Sequence, residues 1–136
     1  MSIHDNQLFR SFLDLGLDPG HYVIAGSGPL IAHGIRKRIS DLDVIARGAA
    51  WRLAAAMGKV QRAPFGDVNA VYLFDGAIEV LDGWFPDRWS VDQLIDNAEI
   101  IEGVRFLSLE LTLEWKKILG RKKDRDDIMV LEQYLS

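Results

Sequence analysis

The segment Val23-Ile24-Ala25-Gly26-Ser27-Gly28-Pro29 and, with thirteen residues between Ser27 and Asp41, the segment Asp41-Leu42-Asp43-Val44 decide the fold. His21 to Ala25 is a short β-prone run that stops at glycine. Serine is a good N-cap and proline suits a helix's first turn, so a strand, a turn and a helix over Pro29 to His33, ending at Gly34, are predicted. Asp41 to Ala46 predicts a second strand. Side chains two apart in a strand share a face, which brings Asp41 and Asp43 together and sends Leu42 and Val44 to the core. Their Cα atoms would stand roughly 6.6 Å apart, two strand rises. Carboxylates at that spacing suit two magnesium ions about 4 Å apart, the arrangement used for in-line displacement at phosphorus.

Gly26-Ser27 supplies a complementary half. A helix start offers N–H groups and a positive dipole end to a phosphate, glycine allows close backbone approach, and a serine hydroxyl can donate to a phosphate oxygen. Each motif alone is weak, since Gly-Ser-Gly-Pro also describes a capped turn and most acidic pairs are simply solvated. In this order, strand, turn, helix and acidic strand, they reinforce one another.

Outward from this centre the pattern is that of alternating elements. Leu8 to Leu15 has helical spacing and stops at Gly16; Ala49 to Met57 is an alanine-rich helix. Val68 to Phe74 and Ala77 to Leu81 are β-prone runs separated by Asp75-Gly76, a pair that favours a hairpin turn. Asp82 to Trp89 reads as an aromatic loop, Val91 to Ala98 as a short helix and Ile100 to Phe106 as a last strand. From Ser108 the chain is expected to be helical in two pieces broken near Gly120, although the Leu107, Leu109, Leu111, Leu113 alternation also suits a strand. The expected fold class is α/β (α+β), one domain over residues 1–136, with a core of about 21–106 and a C-terminal helical segment over 108–135.

Composition sets the outer limits. The 136 residues are 49% hydrophobic, 26% charged and 10% aromatic, as in ordinary soluble globular proteins. A net charge of -4 argues against an extended nucleic-acid surface. Without cysteine there is neither a disulfide framework nor a thiolate zinc site. No run reaches the roughly 18 apolar residues of a membrane span, and Met1-Ser2-Ile3-His4-Asp5 does not resemble a signal peptide, so a cytoplasmic location is expected.

The matches Val23-Ile24-Ala25-Gly26-Ser27, Ser40-Asp41-Leu42-Asp43-Val44 and Ile78-Glu79-Val80 together resemble the nucleotidyltransferase superfamily, specifically its minimal single-domain members. The resemblance continues through Lys116 and the run Arg121-Lys122-Lys123-Asp124-Arg125-Asp126-Asp127-Ile128, which is similar to the Lys-Asp-x-x-Asp helix of the abortive-infection, antitoxin-type and antibiotic-modifying branches. It implies a mixed sheet flanked by helices and a magnesium-dependent transfer of a nucleoside monophosphate from a triphosphate such as ATP to a hydroxyl, on a small molecule or a partner protein. By the same resemblance Asp41 and Asp43 hold the metals, with two Mg2+ ions expected. Gly26, Ser27, Arg36, Lys116 and Lys123 contact the nucleotide, and Glu79 completes the metal site or accepts the acceptor's proton. The third acidic position is often aspartate, and here Glu79 is followed by Asp82. The two must point to opposite faces of a regular strand, and mid-strand Glu79 is the expected member of the site.

Several features keep two readings. Arg36-Lys37-Arg38 suits phosphate neutralisation or a solvated loop, and Asp124 and Asp127 suit positioning of the lysines or pairing with Arg121. Trp84-Phe85-Pro86-Asp87-Arg88-Trp89 suits a pocket wall, a core anchor or a dimer contact. His33 is closer to a packing residue than to a catalyst. An antitoxin-type domain that adenylylates or neutralises a partner toxin, and a non-catalytic nucleotide-binding or interaction domain, stand as alternatives, and a homodimer is compatible with either.

Overall fold

A computed structural model describes residues 2–64 and 66–136. Among them a mixed seven-stranded sheet forms, in the order β3-β4-β5-β2-β1-β7-β6. Its strands are β1 (Tyr22–Ile24), β2 (Leu42–Ala46), β3 (Val60–Arg62), β4 (Asn69–Leu73), β5 (Ile78–Leu81), β6 (Glu99–Ile101) and β7 (Val104–Phe106). The helices are α1 (Gln7–Leu13), α2 (Gly28–Ala32), α3 (Gly48–Ala55), α4 (Val91–Asp96), α5 (Leu109–Leu119) and α6 (Arg125–Leu135). No helix among the described residues is long and apolar enough to cross a membrane.

Alternation along the strands builds two apolar layers, one on each face of the sheet. On one face Leu42, Val44, Ile78 and Val80 pack with Phe9 and Phe12 of α1 and Ala50 and Ala54 of α3. The core therefore reaches back beyond residue 21, because α1 is held in place by Asn6, whose side chain accepts from the Leu8 and Phe9 amides at 3.0 and 3.1 Å. On the other face Val23, Ile45 and Leu81 pack with Leu94 and Ile95 of α4, Trp115 of α5 and Trp84. Leu30, Leu109 and Leu131 then join α2, α5 and α6 into a smaller cluster.

Two elements depart from the sequence expectation, and a third is decided between the helix expected and the strand its leucine alternation also suited. β3 was not expected, because Val60, Gln61 and Arg62 are all exposed on an edge strand and carry no burial pattern; pairing with β4 alone defines it. Ile100 to Phe106 is a hairpin rather than one strand, turning at Glu102 (φ 52) and Gly103 (φ 80). The Leu107 to Leu113 stretch enters a helix, since the Ser108 hydroxyl accepts from the Leu111 amide at 3.1 Å and caps α5. Elsewhere element ends shift by a residue or two; β2 begins at Leu42, leaving Asp41 just ahead of it.

Candidate active site

The end of β1 and the starts of β2 and β5 meet at one end of the sheet's three central strands. β2 runs antiparallel to β1 and parallel to β5, with Asp43 directly beside Glu79 in the register. The Ala25 amide donates to the Asp43 carbonyl at 2.8 Å, which carries the β1–β2 ladder one residue further and sets Gly26 against Asp43. Gly26 has φ +60, and a Cβ there would overlap the Asp43 carboxylate. Glycine is required here both for the left-handed backbone and for room beside that side chain.

These residues line a cleft of about 340 Å³, shared by Gly26, Ser27, Asp41, Asp43 and Glu79 with Lys116 and Lys123 of the C-terminal segment. Asp41 is exposed, whereas Asp43 and Glu79 are half-buried. Burial first, then the charges of Glu79 and Asp41, push the Asp43 carboxyl up to about 7, and its hydrogen bond with Glu79 adds to the shift. Burial also raises Glu79, against the lowering effect of the Asp43 hydrogen bond and the Lys123 charge. The pair is therefore most comfortable sharing one proton, Asp43 donating to Glu79, and a cation at this point would do the same job. Asp82 is turned away, accepting from the Asn69 amide at 2.8 Å and from its side-chain amide at 3.0 Å.

Ser27 occupies the N-cap position of α2, yet its side chain makes no capping bond. Instead its Oγ lies 3.4 Å from Lys116 Nζ, which donates to it. Lys116 is only 2% exposed and is held by Asp124 and Asp127, each at 3.1 Å, with the ammonium 4.7 Å from the centre of the Trp115 ring. It faces inward, unlike the lysine on a helix surface that periodicity alone describes. Asp124 also accepts two bonds from Arg121, at 2.6 and 3.2 Å, and Asp127 pairs with Arg36. Although burial alone would raise the Asp124 carboxyl, its bonds to Arg121 and Lys116 hold it below the usual range.

Arg36 thus meets the site through Asp127 and lines an adjoining hollow of about 210 Å³ with Arg38, Ser40 and Lys123, rather than the main cleft. Lys123 is exposed and borders both spaces. His33 is occupied elsewhere, 2.7 Å from Glu99 and edge-on to Tyr134. Sequence reading gave Arg121 a role as a partner for Asp124 and Asp127, whereas it also lines the cleft and its charge lowers Asp43. Its position right after the left-handed Gly120 was the available signal. Trp84 packs edge-on against Trp115 with ring centres 5.1 Å apart, so it is a core anchor, while Phe85 and Pro64 form the apolar side of the cleft.

No protein-family model matches this chain, and no curated protein matches it in sequence. Among solved structures, the crystal structure of a Thermotoga maritima protein provisionally described as a nucleotidyltransferase superposes on 99% of this chain and 95% of its own, with a TM-score of 0.61 and 16% identity. At that identity the likeness is one of fold, and the fold is nucleotidyltransferase-like.

Proposed function

We propose that the cleft transfers a nucleoside monophosphate from a nucleoside triphosphate to a hydroxyl, with pyrophosphate leaving. The observation that carries this reading is the pairing of Asp43 with Glu79, next to Asp41 and against Gly26-Ser27. Two half-buried carboxylates forced together are costly unless a proton or a cation lies between them. Phosphoryl chemistry uses such a cation.

Among the described residues no three acidic or histidine side chains close into a ready-made metal cage. Magnesium does not require one: it keeps several waters and is commonly held by one or two carboxylates plus the substrate's phosphates. Asp41 and Asp43 fit that requirement, and a bound Mg2+ ion would neutralise phosphate charge and orient the reacting phosphorus. The backbone at Gly26 and the Ser27 hydroxyl receive the polyphosphate tail. Because Lys116 donates to the Ser27 oxygen, the serine's own hydrogen remains available to a phosphate. Lys123 and Arg121 add positive charge along the same side. Glu79, raised by burial, is suited to take the acceptor's proton.

Calorimetry of ATP with Mg2+ tests the reading. Asp41→Asn and Asp43→Asn keep side-chain shape and remove charge, so each is expected to fold and to lose metal-dependent ATP binding. Unchanged affinity in both variants would overturn the proposal.

A further inference from the structure

Phe74 sits where neither its turn nor the core calls for phenylalanine. The β4–β5 hairpin turns through Phe74 and Asp75, at φ 53 and 56, and closes with the Gly76 amide donating to the Leu73 carbonyl at 3.2 Å. Two central residues at positive φ favour asparagine, aspartate or glycine and disfavour a bulky side chain. Asp75 meets that preference and Phe74 opposes it. Phe74 is also 54% exposed and belongs to none of the buried clusters, so core packing does not offset the backbone cost.

What Phe74 does border is a hollow of about 360 Å³, whose apolar lining is completed by Leu8 of α1 and by Ile39. Leu8 and Ile39 rest against the main core, which fixes that part of the wall. Polar groups interrupt the lining. Asn6 accepts through its side-chain oxygen from the Leu8 and Phe9 amides, and Gln7 accepts through its own from Arg10, so both side-chain NH2 groups remain as donors. Ser11 adds a hydroxyl. An aromatic ring and two aliphatic side chains beside a few such donors suit a planar heterocycle with acceptor nitrogens.

The hollow has one charged member, Arg38. Arg38, Ile39 and Ser40 also line the basic hollow described above, so the two spaces are continuous, and Ser40 borders the main cleft as well. In the basic hollow Asp127 is already held by Arg36 and Lys116, which leaves Arg38 and Lys123 against a single carboxylate, Asp41. Arg38 is exposed and has no ion-pair partner among the described residues. A guanidinium of this kind matches a phosphate group. We infer that the hollow between Phe74 and Arg38 binds a mononucleotide as a second ligand beside the triphosphate cleft, its base against Phe74 and Ile39 and its phosphate on Arg38. An apolar segment alone would leave Arg38 unmatched, and a bare anion would leave Phe74 unused. The inference goes beyond the transfer reading and does not depend on it.

Calorimetry with the cleft filled tests this. The protein is saturated with α,β-methylene ATP and Mg2+, which blocks turnover, and AMP, adenosine and inorganic phosphate are then titrated separately. AMP is expected to bind at least about tenfold more tightly than either fragment. Phe74→Asn and Arg38→Gln are each expected to weaken AMP by about tenfold, and Phe74→Tyr to keep the wild-type affinity. Phe74→Asn should leave the Kd of the triphosphate analogue within about twofold. Because asparagine suits this turn, the urea midpoint of Phe74→Asn should equal or exceed that of wild type, which separates loss of a ligand contact from loss of the fold. Displacement of the analogue by AMP, phosphate binding as tight as AMP binding, an AMP Kd unmoved in Phe74→Asn, or a lower urea midpoint in that variant would overturn the inference. If the analogue itself does not bind, the transfer reading falls, and the same titrations of the ligand-free wild type and Phe74→Asn decide this inference alone.

Discussion

Asp43 is a residue that burial and neighbouring carboxylates press towards holding a proton. With its carboxyl pushed up to about 7, the folded protein holds a proton there that the unfolded chain releases near pH 4. The stability this group contributes is fully present below about pH 4 and is lost as pH rises through about 7, because over that window the folded state binds more protons. Asp43→Asn keeps the shape without the charge, and is expected to flatten this decline and to be more stable than wild type at pH 8 by about 1–2 kcal/mol in metal-free urea denaturation. A variant less stable than wild type at pH 8 would contradict the electrostatic account. The neighbouring positions separate chemistry from architecture. Glu79→Gln is expected to cut turnover by orders of magnitude with little loss of nucleotide affinity. Asp82→Asn should leave turnover nearly unchanged and cost about 1–2 kcal/mol of stability, because its bonds to Asn69 brace β4 against the end of β5. Steady-state kinetics and denaturation of the two variants check the split, and the reverse pattern would exchange their roles.

Among the elements, the α5–α6 unit reaches the cleft through one buried cation. Lys116 touches Asp124, Asp127 and Ser27 at once, so it ties both C-terminal pieces to the turn after β1. Removing a partner from a buried ionic set leaves uncompensated charge, a larger effect than the net worth of the pair. Lys116→Met is therefore expected to lower the unfolding free energy by about 3 kcal/mol, and Lys123→Met, at an exposed position, by no more than about 0.5 kcal/mol. Urea midpoints measure both, and similar small losses would mean the network is not holding the helices. The β6–β7 hairpin shows the same dependence on distant partners. Its turn places Glu102 at a positive φ, where the carboxylate accepts from Ser2 Oγ at 2.6 Å and the Ile3 amide at 2.9 Å. A contact across the whole chain thus supports a turn that Glu-Gly does not announce as strongly as Asn-Gly would.

For the whole molecule, a ligand that binds only the folded state adds stability by mass action. ATP with Mg2+ at about a hundred times its Kd is expected to add about 2.7 kcal/mol, a rise in Tm of roughly 8 °C, and chelation of the metal should abolish it. Differential scanning fluorimetry with ATP, Mg2+ and EDTA checks this; an equal shift with ATP and EDTA would separate nucleotide binding from the carboxylates. Much of the architecture was legible beforehand, because hydrophobic alternation and turn chemistry are local. They placed β1, β2, β4 and β5, and period two alone set Asp41 and Asp43 on one face and Glu79 opposite to Asp82 in sense. Other features depend on neighbours that sequence spacing does not contain. β3 exists through its partner strand, Lys116 is inward-facing because two aspartates from the next element meet it, and Phe85 becomes a cleft wall because two loops brace each other. The sequence by itself determined which residue types alternate along each strand and where turns are cheap, since backbone sterics and side-chain direction act within a few residues. Only the tertiary structure decided which carboxylates are pressed together, which cation is buried and which aromatic side chains line the cleft, since desolvation and charge coupling arise from groups brought together by long-range packing.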